Sequence, residues 1–160
     1  MRVWGKRLLL TGFAVFVVAQ FIPMTKANHP VDPAQAIFTR MTVPPEVTGI
    51  LTRACQDCHS NQTVWPWYSQ IAPASWLIVH DVTEGRGELN FSEWGRYTAR
   101  RQDRKLKEIC EQVERDKMPM AIYTYLHPQA KLTASDRKAT CEWTAAARKN
   151  LAAAATASER

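Results

Sequence analysis

Along this chain, apolar residues recur at three- and four-residue spacing rather than in alternation. Val47, Ile50, Leu51 and Ala54 do so directly before Cys55, which predicts an amphipathic helix opened by Pro44 and Pro45. Leu106, Ile109, Cys110 and Val113 mark the buried stripe of another helix, which Pro119 ends. Between them, a helix should start near Pro73 and run through Trp76, Val79 and His80 to about Glu84, with Gly85 and Gly87 terminating it. Asn90 with Glu93, and Thr133 with Asp136, have the spacing of capping boxes. The first opens the helical region that leads to Leu106, and the second opens a helix through Trp143 into an Ala-rich end. With six glycines, no hairpin-spaced strand blocks and no solenoid-length repeat, the expected fold is all-α. A length of 160 residues supports one domain with a modest core.

The amino terminus breaks the amphipathic pattern. Arg2, Lys6 and Arg7 precede an uncharged apolar run from Leu8 to Met24, about 25 Å long at 1.5 Å per helical residue. It reads as an export signal: a single hydrophobic helix, either a retained anchor or a cleaved signal peptide. Bulky Phe21, Ile22 and Met24 in the cleavage neighbourhood favour the anchor. The three basic residues before the run, against Lys26 alone just after it, put the amino terminus inside and the remainder on the periplasmic side of a bacterial inner membrane.

Charge changes the picture little. Three of the 21 basic residues lie in residues 1–24 and all 15 acidic ones lie beyond, so the remainder carries only +3 instead of +6. That does not call for a nucleic-acid partner. Arg96, Arg100, Arg101, Arg104, Lys105 and Lys107 form a basic stretch with helical spacing, which reads as a solvated face; a docking face for an acidic redox partner is the functional alternative.

The chemistry lies in Cys55-Gln56-Asp57-Cys58-His59. Two thiols three residues apart, followed at once by an imidazole, form the c-type haem attachment pattern. Each thiol is placed to join one vinyl group, and His59 comes under the iron as proximal ligand. A thioredoxin-like reading needs a central sheet that this pattern does not contain, and a zinc reading needs a second close ligand pair, whereas Cys110 and Cys141 stand far apart. One covalent haem c is the expected cofactor.

A sixth iron ligand should follow the attachment site. Met118 is the first candidate, because Pro119 disfavours helix at Met118 and leaves its thioether in an extended segment. Met120 lies on the same side of such a segment, and His80 and His127 are the histidine alternatives; His29 stands in the Pro-interrupted stretch before the domain. Trp65, Trp67, Tyr68 and Trp76 are candidates for the haem wall. In an oxidising compartment a Cys110–Cys141 disulfide is chemically reasonable, but Cys141 faces away from Cys110 if Trp143 points inward, so the pairing stays open. These readings divide the chain into a signal or anchor (1–25), a tether (26–42), a haem-binding domain (43–150) and a tail (151–160).

From about Val43 to Trp143 the sequence resembles the haem-binding domain family, small exported proteins similar to c-type cytochromes. The resemblance rests on Cys55-Gln56-Asp57-Cys58-His59-Ser60-Asn61, Trp65-Pro66-Trp67-Tyr68, Ile71-Ala72-Pro73, Asn90-Phe91-Ser92 with Trp94, Met118-Pro119, and His127-Pro128 followed by Leu132 and Trp143. It implies a cytochrome-c-like helical fold around one haem held by Cys55, Cys58 and His59, with Met118 at the family's Met-Pro position. Electron transfer with a redox partner protein is the expected function. The alternatives are a haem sensor or small peroxidase with a displaceable sixth ligand, and a non-haem thiol oxidoreductase.

Overall fold

A computed structural model describes residues 2–158. The helices are α1 (Arg2–Ala19), α2 (Ile37–Arg40), α3 (Pro45–Ala54), α4 (Gln56–His59), α5 (Ala74–Glu88), α6 (Ala99–Glu114), α7 (Ala121–Leu126) and α8 (Ala134–Ser158), linked by short 3-10 turns, and no strand occurs among the described residues. The all-α expectation holds.

Helix α3 organises the core because its apolar positions serve two sides. Val47 and Leu51 join Ile37, Phe91, Trp94, Leu106, Ile109, Trp143 and Ala147 in one cluster. Ile50 and Ala54 join Val113, Ala130 and Leu132 in a second. Helices α6 and α8 pack against each other along their length, and Cys110 and Cys141 form a disulfide between them. If α8 buried a single stripe, Trp143 would turn Cys141 away from this bridge. In fact α8 presents Trp143 and Ala147 to the first cluster while Cys141 packs at the second.

Helix α8 starts at the Thr133–Asp136 box: the Thr133 N–H and hydroxyl donate to the Asp136 carboxylate, and the Asp136 N–H donates to the Thr133 hydroxyl. It runs on through the residues expected to form a tail, because alanine is the best helix former and nothing there stops it. Asn90 is also a cap, accepting from the Ser92 N–H, but it opens a 3-10 turn over Phe91–Arg96. Thr98 then caps α6 separately.

Two expectations need correction. Residues 26–42 are not a free tether: Ile37 is fully buried, Trp143 donates to the Thr42 carbonyl, and Lys26 and Asn28 reach the carbonyls of Ser69 and Thr63. The hydrophobic helix expected over 8–24 instead spans Arg2–Ala19, so the basic residues fall within it and Phe21–Met24 lie outside. Gln20 ends it, since its side-chain amide donates to the carbonyls of Phe16 and Ala72 and accepts from the Ala72 N–H. Among the described residues no helix is long and apolar enough to cross a membrane.

Candidate functional site

The Cys-His motif forms a single turn, α4, at the end of α3, and α5 lies across it. The approach is close because residue 85 is glycine: a Cβ there would stand 2.7 Å from the Cys58 carbonyl oxygen and 3.3 Å from its Cβ. Sequence reasoning expected Gly85 and Gly87 to end this helix, yet it continues to Glu88. Gly85 serves instead as the contact surface for α4.

That contact sets the imidazole. Nδ1 of His59 lies 2.9 Å from the Gly85 carbonyl and 3.1 Å from that of Leu89, both at the carboxyl end of α5. Carbonyls only accept, so Nδ1 carries the proton and Nε2 keeps its lone pair, the arrangement of a metal-ligating histidine oriented by a backbone partner. Burial holds the His59 pKa below its usual value, so the ring is neutral and ready to ligate. Burial also pushes the Cys55 thiol up to about 12 and that of Cys58 up to about 11, the latter with help from Asp57 and Asp81. Neither is a thiolate at neutral pH.

Three adjoining clefts open around the motif. One of ≈ 210 Å³ is lined by Cys55, Cys58, His59, Asp81, Met118 and Met120, among others. A second of ≈ 310 Å³ shares Cys55, His59 and Met118 and extends to Phe91, Lys105 and Ile109. The third, of ≈ 180 Å³, lies beyond Cys58 between Tyr68, Leu77, Ile122 and His127. Met118 reaches the first two because α6 ends in a tight reversal: Asp116 adopts a left-handed backbone (φ 52°), and the N–H groups of Lys117 and Met118 donate back to the Gln112 carbonyl.

Cys55, Cys58, His59, Met118 and Met120 thus share one cavity system. His127 lines the third cleft, 2.6 Å from the Tyr68 hydroxyl and stacked on Tyr123. His80 lies on the exposed side of α5 beside Glu84 and lines none of the three clefts, and His29 is exposed. Of the expected wall aromatics only Tyr68 lines a cleft. Trp67 is 76% exposed and edge-on to Tyr68, Trp65 is half-buried, and Trp76 donates to the Ile22 carbonyl.

Several contacts that hold the site were not foreseen from the sequence, although Asp57, Asn61, Asn90 and Ser92 are among the residues that carry the family resemblance. Arg86 donates to the Ser60 and Ala27 carbonyls, the Asn28 side chain and the Thr63 hydroxyl, at 2.6–2.8 Å, clamping the loop after His59 to the segment before α2. Buried Asn61 donates its backbone N–H to the Ser92 hydroxyl and accepts at its side-chain oxygen from the Asn90 amide. Asp57, inside the motif, accepts from the Val64 N–H and the Tyr123 hydroxyl, drawing α7 over the cavity. Burial, then that hydrogen bond, raises the Tyr123 pKa and keeps it a donor. For Asp57 the available signal was its position between the two cysteines.

The donor set fits a haem: a neutral imidazole with a free Nε2, two protonated thiols and a thioether converge on a cavity walled largely by apolar groups. A model of the haem-binding domain family matches residues 14–146. The chain belongs to the haem-binding domain family. No curated protein and no solved structure matches it. Haem is accordingly the cofactor of this haem-binding domain, and the matched span takes in the motif, Gly85, Met118 and the Cys110–Cys141 bridge.

Proposed function

We propose that this haem-binding domain is a monohaem c-type cytochrome that transfers electrons in the periplasm. The observation that carries the reading is the His59 imidazole, fixed by Gly85 and Leu89 with Nε2 left for iron, in the same cleft as two thiols that are protonated at neutral pH. Each thiol adds across one vinyl group: a carbon–sulfur bond forms, the thiol hydrogen passes to the neighbouring carbon, and no electrons are gained or lost overall. Met118, on the reversal that follows α6, would offer its thioether to the iron, and a soft sulfur there would favour the ferrous state and raise the potential. Bound haem supplies a one-electron couple. On this reading the protein fixes the imidazole through Gly85 and Leu89 and offers Met118 to close the sixth position. Export is proposed on the apolar run 8–24 behind Arg2, Lys6 and Arg7, and the redox partner would be another protein.

A second reading, a haem sensor or small peroxidase, is favoured by one feature. Met118 is 36% exposed, so it is displaceable, and the Tyr68–His127 pair in the adjoining cleft offers an acid-base group. Visible spectra of the reduced haem-loaded protein, with and without carbon monoxide, separate the two. The carrier reading expects a spectrum unchanged by carbon monoxide at neutral pH; rapid saturation would establish the sensor or enzyme reading instead.

A further inference from the structure

Lys105 departs from the rest of the basic stretch. Arg96, Arg104 and Lys107 pair along their own helical segments at the surface, whereas the Lys105 side chain is 7% exposed and lines the cleft that also holds His59 and Met118. Its ammonium lies 3.1 Å from Glu88 of α5 and 2.6 Å from Glu108 of α6. Those partners are 73% and 39% exposed, so both carboxylates are partly or largely hydrated. Solvated carboxylates compensate a buried ammonium poorly, because water screens their attraction while the lysine bears its own desolvation.

The charge balance of the cavity gives this lysine a use. Five carboxylates, Asp57, Asp81, Glu84, Glu88 and Glu108, line the three clefts, and among the described residues Lys105 is the one Lys or Arg lining them. A haem carries two carboxylates of its own, and placing them beside five more with no cation at the cleft wall would be unfavourable even though Glu84 and Glu88 are largely exposed. On the reading that this site holds haem, we infer that Lys105 is the counter-ion for a haem propionate and thereby a determinant of the reduction potential. Glu88 and Glu108 hold its ammonium at the cleft wall and share it with the cofactor carboxylate. Lys105 is a positioning and charge-setting residue, and it does not touch the iron.

The test uses the full chain loaded by a haem-attachment system, with spectroelectrochemical titration of wild type, Lys105→Met, Lys105→Arg and Glu88→Gln. Removing the cation favours the ferric state, so Lys105→Met should raise the oxidised-to-reduced ratio at fixed potential at least tenfold, a fall of about 59 mV for a one-electron couple. Lys105→Arg should stay near wild type, and Glu88→Gln, at a side chain that is 73% exposed, should shift the ratio the other way. Redox-difference infrared spectra of protein whose haem is 13C-labelled at the propionates should show a labelled carboxylate band that moves in Lys105→Met and Glu88→Gln. Unchanged potentials and an unmoved band in folded, loaded variants would overturn the inference while leaving haem attachment intact. If Lys105→Met does not fold, the Glu88→Gln potential and band decide alone. Haem that leaves the wild type on acid-acetone extraction would instead sink the covalent part of the proposed function, and the potentials and the labelled band would still decide the role of Lys105.

Discussion

Replacing Gly85 by alanine probes the contact that orients the site. The new methyl would lie 2.7 Å from the Cys58 carbonyl oxygen and 3.3 Å from the Cys58 carbonyl carbon. These are backbone atoms of α4, so no side chain can swing aside; α5 must move away by several tenths of an ångström. Overpacking of this kind costs roughly 1–3 kcal/mol, while Gly to Ala inside a helix returns about 1 kcal/mol. Because the clash is with backbone, the cost should lie in the upper part of that range, about 2–3 kcal/mol, which leaves about 1–2 kcal/mol of net destabilisation, or a drop of about 2–8 °C in Tm for a chain of this size. The same movement draws the Gly85 carbonyl away from His59 Nδ1. Gly87→Ala is the internal control: it lies in the same helix with nothing within 4 Å of the added Cβ, so it should gain up to about 1 kcal/mol. Thermal and urea unfolding of the three proteins, compared in the same haem state, gives the result. A Gly85→Ala protein as stable as Gly87→Ala would refute the close-contact role assigned to residue 85.

Three further outcomes follow from the same structure. Changing both Cys110 and Cys141 to serine opens a link across a sequence separation of 31 and should lower stability by about 3–4 kcal/mol on the loop-entropy model, read by urea midpoint against the oxidised wild type. Burial opposes ionisation of Asp136, but its hydrogen bonds from Thr133 and its contact with Arg53 at 2.7 Å prevail and hold its pKa below the usual carboxylate range. Its stabilising effect is therefore full above the unfolded pKa near about 3.9 and disappears as pH falls through the folded value; Asp136→Asn should cost about 1 kcal/mol at neutral pH, with the gap closing in unfolding curves taken below about pH 4. In ferric haem-loaded protein, Met118→Ala should abolish the weak far-red band of methionine-ligated iron while Met120→Ala retains it; the reverse pattern would give the ligand to Met120.

What the sequence revealed depended on how local the physics was. The Cys55–His59 motif is legible because all its donors lie on one turn, and the Thr133–Asp136 cap because both partners lie within three residues. The buried stripe Leu106, Ile109 and Val113 was visible from its spacing. Gly85 was misread as a helix stop because a glycine that ends a helix and one that admits a neighbouring backbone look the same in one dimension. Arg86, whose four partners come from 23 to 59 residues away, left no mark on any local pattern. Lys105 resembled its solvated neighbours because burial depends on what α5 brings over it. Ile37 was hidden among prolines that suggested a tether, and its burial comes wholly from the cluster around Trp94 and Trp143.

The central claim is that Cys55 and Cys58 hold the haem covalently, with His59 beneath the iron. Acid-acetone extraction of the denatured, haem-loaded chain tests it most directly, alongside a Cys55→Ala/Cys58→Ala double variant. The wild type should keep its colour in the protein fraction while the double variant releases whatever haem it bound. Haem extracted fully from the wild type would contradict the account.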